Sequence, residues 1–372
     1  MPKLPQPAPL VAAVPSSTPF VAPEELARRV GRSSLLRLGA NESSFGPAPA
    51  ALAAMREAVG RVSWYGDPES LELRTALARR NGCEIENLII GSGIDDLMSL
   101  VVRTFCAPGD AALATRGTYA TWTFHVLAYG VRHITAEPTP AVTIDVDALI
   151  AQAAAAGPKA VYVANPDNPS GTFVSAAELA RLRAGLADDV LLVIDEAYAD
   201  YVDPARLPPP ALDPRTIRFR TFSKAYGLAG ARVGYAIAPA QYVAAFNKLR
   251  QHFGVNRTAQ IGALAALGDE DHLRAVVAEV AAGRDAYAAL GRELGCRTLP
   301  SATNFVNFEV GTKAAAEAMV LSLLERGVFV RKPYAPPIDG FIRVTVGTAA
   351  ERAAFAEIFS EALAKARENA LV

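Results

Sequence analysis

The sequence predicts an α/β fold with a mostly parallel sheet in a large domain, followed by a smaller α+β unit. Three observations predict it. Short apolar runs recur through the middle of the chain, at residues 87–91, 110–115, 160–164, 190–195, 216–221 and 233–238. Helical patterns lie between several of them, and buried apolar strands alternating with helices build a parallel sheet covered on both faces. Beyond about residue 268 the order changes to a long helical stretch and then short strands and helices.

Taken in order, residues 1–60 read as a Pro-rich arm, expected to be poorly ordered over about the first twenty residues, and a segment that packs with the small unit. Residues 61–268 form the large domain. Within it, residues 175–187 read as a helix that opens on a capping box, Ser175-Ala-Ala-Glu178. Residues 269–372 form the small domain: a helix to about 294, a strand near 304–308, a helix, strands near 328–331 and 341–346, and a last helix from Ala349. Apart from the Pro-rich start and the run 207–211 there is no low-complexity tract, and no repeat.

Composition excludes several classes. With 372 residues and half of them apolar, the chain can bury a large core. A formal net charge of -1 gives no general attraction to nucleic acid or to a membrane surface. No apolar run approaches the roughly 20 residues of a membrane span. The short piece 10–14 is too small and too Pro-bounded for a secretory signal. Cys83, Cys106 and Cys296 form no CxxC pair, so neither a disulfide framework nor a metal site is expected, and a reducing cytoplasm is the expected compartment.

Four strings carry chemistry. Val190-Leu-Leu-Val-Ile-Asp195-Glu-Ala-Tyr198 is a hydrophobic strand ending in an acid. In open α/β sheets ligands bind at the carboxyl ends of strands. A desolvated Asp there needs a cationic partner, although such an acid alone also suits a helix cap or a metal. Thr221-Phe-Ser223-Lys224-Ala-Tyr-Gly-Leu-Ala-Gly-Ala-Arg232 joins hydroxyls, a lysine, glycines and an arginine. That set suits a lysine condensing with an aldehyde while its neighbours hold a phosphate, or, alone, a surface loop with a solvated lysine. Asn165-Pro-Asp-Asn168-Pro-Ser-Gly-Thr172 is a rigid, turned loop able to aim an amide into a cleft. Gly91-Ser92-Gly93-Ile94-Asp95 ends a strand and begins a helix, whose N-terminal amides attract phosphate.

In this order and spacing the strings resemble the class I/II aminotransferases, most closely the histidinol-phosphate aminotransferase subgroup. The resemblance runs from Leu38-Gly-Ala-Asn41-Glu42 to Phe341-Ile-Arg343-Val-Thr-Val-Gly-Thr348. It implies fold type I, as in aspartate aminotransferase, and pyridoxal 5'-phosphate (PLP) as cofactor, held by Lys224 as a Schiff base. Asp195 is implied as partner of the pyridine nitrogen, Tyr198 and Asn168 as partners of the phenolic oxygen, and Tyr119 as the ring stacked on the cofactor. The implied phosphate cup is Ser92 or Gly93, Ile94 and Asp95 through backbone groups, with Thr221, Ser223 and Arg232. Tyr65 is implied to reach the phosphate held by the other subunit, which makes the expected assembly a homodimer with shared sites. Arg343 is implied to receive the substrate's anionic group, Asn41 to lie on the substrate side, and Arg331 to be a second anion contact.

The expected partners are an amino donor, histidinol phosphate or an aromatic amino acid, and a 2-oxo acid such as 2-oxoglutarate, in ping-pong half-reactions. The alternative is a decarboxylase like threonine-phosphate decarboxylase, or a C–S lyase, on the same fold. Departures from the family pattern fall on the substrate side: Asn41-Glu42-Ser43-Ser44, Arg116-Gly117-Thr118-Tyr119, and Gln251-His252-Phe253-Gly254-Val255-Asn256. His252 and Phe253 are therefore candidates to line the donor pocket.

Overall fold

The computed structural model describes residues 4–12, 14, 21–208 and 213–368. Among them, seven strands form one sheet in the order Leu88–Gly91, Gly234–Ile237, Thr216–Thr221, Leu191–Asp195, Ala160–Ala164, Ala111–Thr115, Arg132–Ala136. Gly234–Ile237 runs antiparallel to both neighbours, and the remaining pairs are parallel. The apolar runs read from the sequence are these strands, to within a residue at each end. The edge strand Arg132–Ala136 is an addition. Its sequence, RHITA, is partly exposed along its length and lacks the continuous apolar run of its neighbours.

The central strands are buried on both faces, from Ala160 to Ala164 and from Leu191 to Asp195 without a break. Helices Ile94–Phe105 and Ala120–Ala128 cover one face with Leu97, Met98, Val101, Trp122 and Val126. Helices Val146–Ala156 and Ala176–Gly185 cover the other with Leu149, Leu179 and Leu182. Each such side chain contributes about 1.5–3 kcal/mol when fully buried. The capping box forms as expected: Ser175 Oγ accepts from the Glu178 amide at 3.2 Å, and the Glu178 carboxylate accepts from the Ser175 amide at 2.7 Å.

In the C-terminal unit, Phe305–Glu309 pairs antiparallel with Phe341–Thr345. Helices Glu270–Glu293, Lys313–Glu325 and Ala349–Glu368 pack around this strand pair. Phe308, Phe355, Phe359 and Tyr287 form an aromatic cluster at its centre, with ring centroids 5.2–5.9 Å apart.

The N-terminal segment divides, which corrects the expectation that all of it packs with the small unit. Leu36–Arg37 does so, pairing parallel with Val328–Phe329. Helix Pro49–Val59 instead packs against helix Arg257–Leu267, because its small-residue face seats Met55 over Gly262. The expected disorder of residues 1–20 falls partly outside the described residues, as does most of the run 207–211. What is described of the arm includes a short helix, Pro9–Ala12, whose Leu10 packs onto Gly130. Among the described residues no helix is long and apolar enough to cross a membrane.

Candidate active site

The carboxyl ends of five parallel strands converge on one cleft, and each delivers a loop that the sequence had marked. After Leu88–Gly91 comes the turn at Gly93, after Ala111–Thr115 comes Tyr119, after Ala160–Ala164 comes Asn168, at the end of Leu191–Asp195 come Asp195 and Tyr198, and after Thr216–Thr221 comes Lys224. A cavity of about 230 Å³ is lined by Ile94, Asp95, Tyr119, Asn168, Asp195, Tyr198, Thr221, Ser223, Lys224 and Arg232. It opens into a wider cleft of about 550 Å³ that takes in Asn41, Arg331 and Arg343. The two spaces share Ala40, Tyr119, Asn168 and Lys224.

Lys224 Nζ donates to the Asn41 carbonyl at 3.1 Å and lies 5.6 Å from the centre of the Tyr198 ring. Burial, and next the nearby Arg343 charge, lower its pKa to about 8. Asp195 is 4% exposed. Its Oδ1 accepts from the Ala197 amide at 3.0 Å and its Oδ2 from the Tyr162 hydroxyl at 2.8 Å. Burial raises its pKa to about 6, against the pull of those two hydrogen bonds. Among the described residues no cationic side chain makes a salt bridge with it, whereas its neighbour Glu196 is held between Arg218 and Arg220 at 2.8 Å each. The Tyr198 hydroxyl accepts from Asn41 Nδ2 at 2.9 Å and from Asn168 Nδ2 at 3.4 Å, and burial pushes its pKa up to about 12.

At the other end of the cavity, Arg232 sits in the left-handed region at φ 58° and donates to the Ser92 carbonyl at 3.4 Å. Gly93, at φ 82°, has to lack a side chain, because a Cβ there would run into the Arg232 guanidinium. The helix Ile94–Phe105 begins at this turn, and its first residues, Ile94 and Asp95, line the cavity at the helix end that attracts anions. Thr221 Oγ1 donates to Ser223 Oγ at 3.0 Å. The Ser92 amide is taken by the Asp96 carboxylate at 3.0 Å, so among the backbone groups expected at this turn Ile94 and Asp95 are the ones that line the cavity. Tyr119 forms the wall between the two spaces, its hydroxyl donating to Asp95 Oδ1 at 3.2 Å.

The donor set fits PLP. Amides, hydroxyls and a guanidinium at one end suit a phosphate. A buried carboxylate without a cation at the other suits a protonated pyridine nitrogen. A neutralisable amine between them suits an aldehyde.

The comparisons with known proteins decide the family. The model of "Aminotransferase class I and II" matches residues 33–359. The chain belongs to that family. Class I and II aminotransferases are PLP-dependent, and this chain is a PLP-dependent aminotransferase of fold type I. It is 37% identical to the histidinol-phosphate aminotransferase of Ruegeria sp. (strain TM1040), over 85% of this chain and 88% of that one. It is 36% identical to the Moorella thermoacetica histidinol-phosphate aminotransferase, over 92% and 89%. A crystal structure of histidinol-phosphate aminotransferase from Sinorhizobium meliloti in complex with pyridoxal-5'-phosphate superposes with a TM-score of 0.93 at 38% identity, covering 98% and 99%.

In the wider cleft, Arg343 lies on the face of strand Phe341–Thr345 opposite the fully buried Ile342 and Val344. It donates to Asn168 Oδ1 at 2.6 Å and to the Gly39 carbonyl at 3.2 Å, over the Phe305 ring. Its Nε is buried with no hydrogen-bond partner among the described residues. Arg331 faces Arg343 through an antiparallel backbone bridge and also donates to the Val21 carbonyl at 3.3 Å. Asn41, at φ 54°, is buried and clamped: its amide donates to Thr345 Oγ1 at 3.0 Å and its carbonyl accepts from Asn304 at 3.1 Å. It joins the two units as well as lining the wider cleft.

Tyr65, His252 and Phe253 lie away from their own chain's cleft. Tyr65 is 76% exposed and packs on Phe253 at 4.5 Å between ring centroids. His252 is exposed beside them, and neither it nor Phe253 lines the cleft of its own chain. The residues sequence reasoning missed are Tyr162, which reads as core within a buried strand, and the pocket-wall residues Phe124, Leu127, Lys332 and Tyr334. The Tyr334 hydroxyl donates to the Thr118 carbonyl at 2.9 Å. No local signal marks them, since they take their places only through packing.

Proposed function

We propose that this chain moves the amino group of histidinol phosphate, or of a closely similar amine bearing a phosphate, to a 2-oxo acid such as 2-oxoglutarate, in two half-reactions at one site. The observation that carries the reading is the pairing of Arg331 and Arg343 across one backbone bridge, both lining the cleft that holds Lys224. Lys332 also lines that wall, with its ammonium paired to Glu317 at 3.3 Å. A phosphate dianion gains more from two guanidiniums than a monocarboxylate does. The relatives named above are histidinol-phosphate aminotransferases, which supports the same donor. The apolar wall of Phe124 and Leu127 leaves room for a flat ring.

PLP, when bound, supplies the electron sink that stabilises a carbanion at the donor's Cα. In this reading Lys224 Nζ carries the cofactor and, once displaced by the donor, moves the proton between Cα and the cofactor's C4′. A pKa near 8 suits that task, because an amine titrating close to ambient pH both accepts and returns a proton. Asp195 keeps the ring nitrogen protonated. Tyr198 and Asn168 hold the phenolic oxygen, and Tyr119 covers the ring face. Ile94, Asp95, Thr221, Ser223 and Arg232 hold the phosphate, with Gly93 giving the guanidinium its approach.

The same reading makes the working unit a homodimer in which Tyr65 serves the partner's phosphate end. Its support is the exposed apolar surface around Tyr65, made of Val59 (58% exposed), Val62 (72%), Trp64 (65%) and Phe253 (52%). Contiguous apolar surface of this kind marks a protein interface. The test is a panel of amino donors against 2-oxoglutarate, followed by the visible absorbance of the bound cofactor. Histidinol phosphate is expected to be turned over with the highest kcat/KM, and a neutral aromatic amino acid matching it would overturn the donor.

A further inference from the structure

Behind Asp195, on the side away from the cleft, a fully buried tyrosine completes the hydrogen bonding of the carboxylate. Tyr162 lies in the middle of strand Ala160–Ala164, 0% exposed, beside Val193 of the neighbouring strand. Its hydroxyl donates to Asp195 Oδ2 at 2.8 Å, while the Ala197 amide holds Oδ1 at 3.0 Å. Asp195 lines the cavity and Tyr162 does not. The tyrosine ring is itself fixed by Trp122, also 0% exposed, stacked at 4.7 Å between centroids and 10° between planes. Trp122 lies on the helix that begins just after Tyr119. A phenyl ring would fill the same space, so packing alone does not require the hydroxyl. A buried hydroxyl without a partner is costly, and this one is aimed at a carboxylate of the cavity that makes no salt bridge among the described residues.

We infer that Tyr162 is a positioning residue for the transamination: its hydroxyl keeps Asp195 ionised and aimed, so that the proton shared between Asp195 and the cofactor's ring nitrogen stays on nitrogen. The inference rests on the proposed pairing of Asp195 with that nitrogen. A hydrogen bond to the ionised form of an acid favours that form. Bonds to charged groups of this kind change an acid dissociation constant by about ten- to a hundredfold. The effect matters here because burial acts the other way and raises Asp195 to about 6. With the hydroxyl gone, burial is opposed by the Ala197 amide alone among these two donors, and the shared proton moves toward oxygen. The ring then withdraws electrons less well. Tyr162 touches neither the donor cleft nor Arg343, so the loss falls on kcat and on PLP affinity, with the donor KM little changed.

The experiment reconstitutes wild type, Tyr162→Phe and Asp195→Asn with PLP carrying 15N at the ring nitrogen. It reads the nitrogen NMR shift at one pH and PLP affinity by equilibrium dialysis. Tyr162→Phe is expected to move the signal toward the unprotonated position and to weaken PLP binding about tenfold, with Asp195→Asn moving it further. A signal and affinity unchanged in Tyr162→Phe while Asp195→Asn shifts both would overturn the role of Tyr162 and leave that of Asp195 standing. A signal unchanged in Asp195→Asn would overturn both. Should Tyr162→Phe fail to fold, 3-fluorotyrosine at position 162 keeps the shape and is a stronger donor. It should tighten PLP binding, and no change in either signal or affinity would overturn the inference.

Discussion

The smaller cavity and the wider cleft share Ala40, Tyr119, Asn168 and Lys224, yet they are built differently. The cavity takes most of its lining from strand ends of one sheet and the loops that follow them, and several of its bonds are local, Asp195 to the Ala197 amide, Thr221 to Ser223 and Arg232 to the Ala229 carbonyl, while Lys224 and Tyr198 reach across to Asn41. The cleft draws on Val14 of the arm, helix Ala120–Ala128, residues 331–334 and strand Phe341–Thr345. Its bonds span the chain, as from Arg343 to Asn168 and from Arg331 to Val21. A sheet with a packed core cannot easily vary the first kind of site, while loops and a second unit can vary the second. In the proposed reading, cofactor chemistry sits on the rigid part, and donor choice on the part that different relatives can rebuild.

If that division is real, damage on the cavity side should strike every donor alike and should be the largest. Asp195→Asn removes a charge facing the ring nitrogen. Two charges about 4 Å apart interact by roughly 4 kcal/mol at an effective dielectric of 20. A loss of about a thousandfold in kcat is expected for phosphorylated and aromatic donors equally, measured with the cofactor bound. A donor-dependent loss would break the comparison.

On the cleft side the two arginines should separate donors. Truncating one partner of a buried charge pair costs about 2–5 kcal/mol, so Arg343→Ala is expected to lose roughly 30-fold to several thousandfold in kcat/KM. Arg343→Lys should recover part of it, because lysine lacks the two-pronged guanidinium. Arg331→Ala should lose about tenfold with histidinol phosphate, a contact worth about 1.4 kcal/mol, and far less with a neutral aromatic donor. Equal losses for all donors at both positions would mean that neither arginine discriminates.

A third way to test the arrangement uses the exposed Tyr65. In a shared-site dimer, mixing inactive Tyr65→Ala with inactive Lys224→Ala should yield hybrids with one intact site, recovering up to about a quarter of wild-type activity if subunits exchange at random. A fully active monomer in sedimentation would sink the shared site.

The smallest effect concerns pH. The Lys224 pKa lies below its ordinary value, so the neutral amine grows as pH rises toward about 8 and levels off above it. Between pH 7 and 8 its neutral fraction climbs from about one tenth to about one half. The rate at which apoprotein takes up PLP, followed by stopped-flow absorbance, should rise about fivefold over that interval. A continued tenfold rise per pH unit up to pH 10 would show that Lys224 is not desolvated as described.

The sequence by itself determined most of the sheet and the lining of the smaller cavity. Each string there is a strand and the loop that follows it, so the local pattern of burial and turns already places Asp195, Lys224 and Gly93 at the same edge. It did not reveal the edge strand Arg132–Ala136, whose half-exposed residues carry no apolar run. Nor did it show that Tyr162 serves Asp195, since a tyrosine amid valines and alanines in a strand reads only as core. Only the tertiary structure decided that helix Pro49–Val59 packs against the large-domain helix Arg257–Leu267, that Asn41 ties Tyr198 to Thr345, and that Arg331 and Arg343 meet across one bridge. Those contacts join residues up to 304 positions apart. Periodicity constrains which face of an element is buried, but many packings of two units satisfy the same faces, and the choice among them is made by side-chain fit and by hydrogen bonds that form only once the units have met.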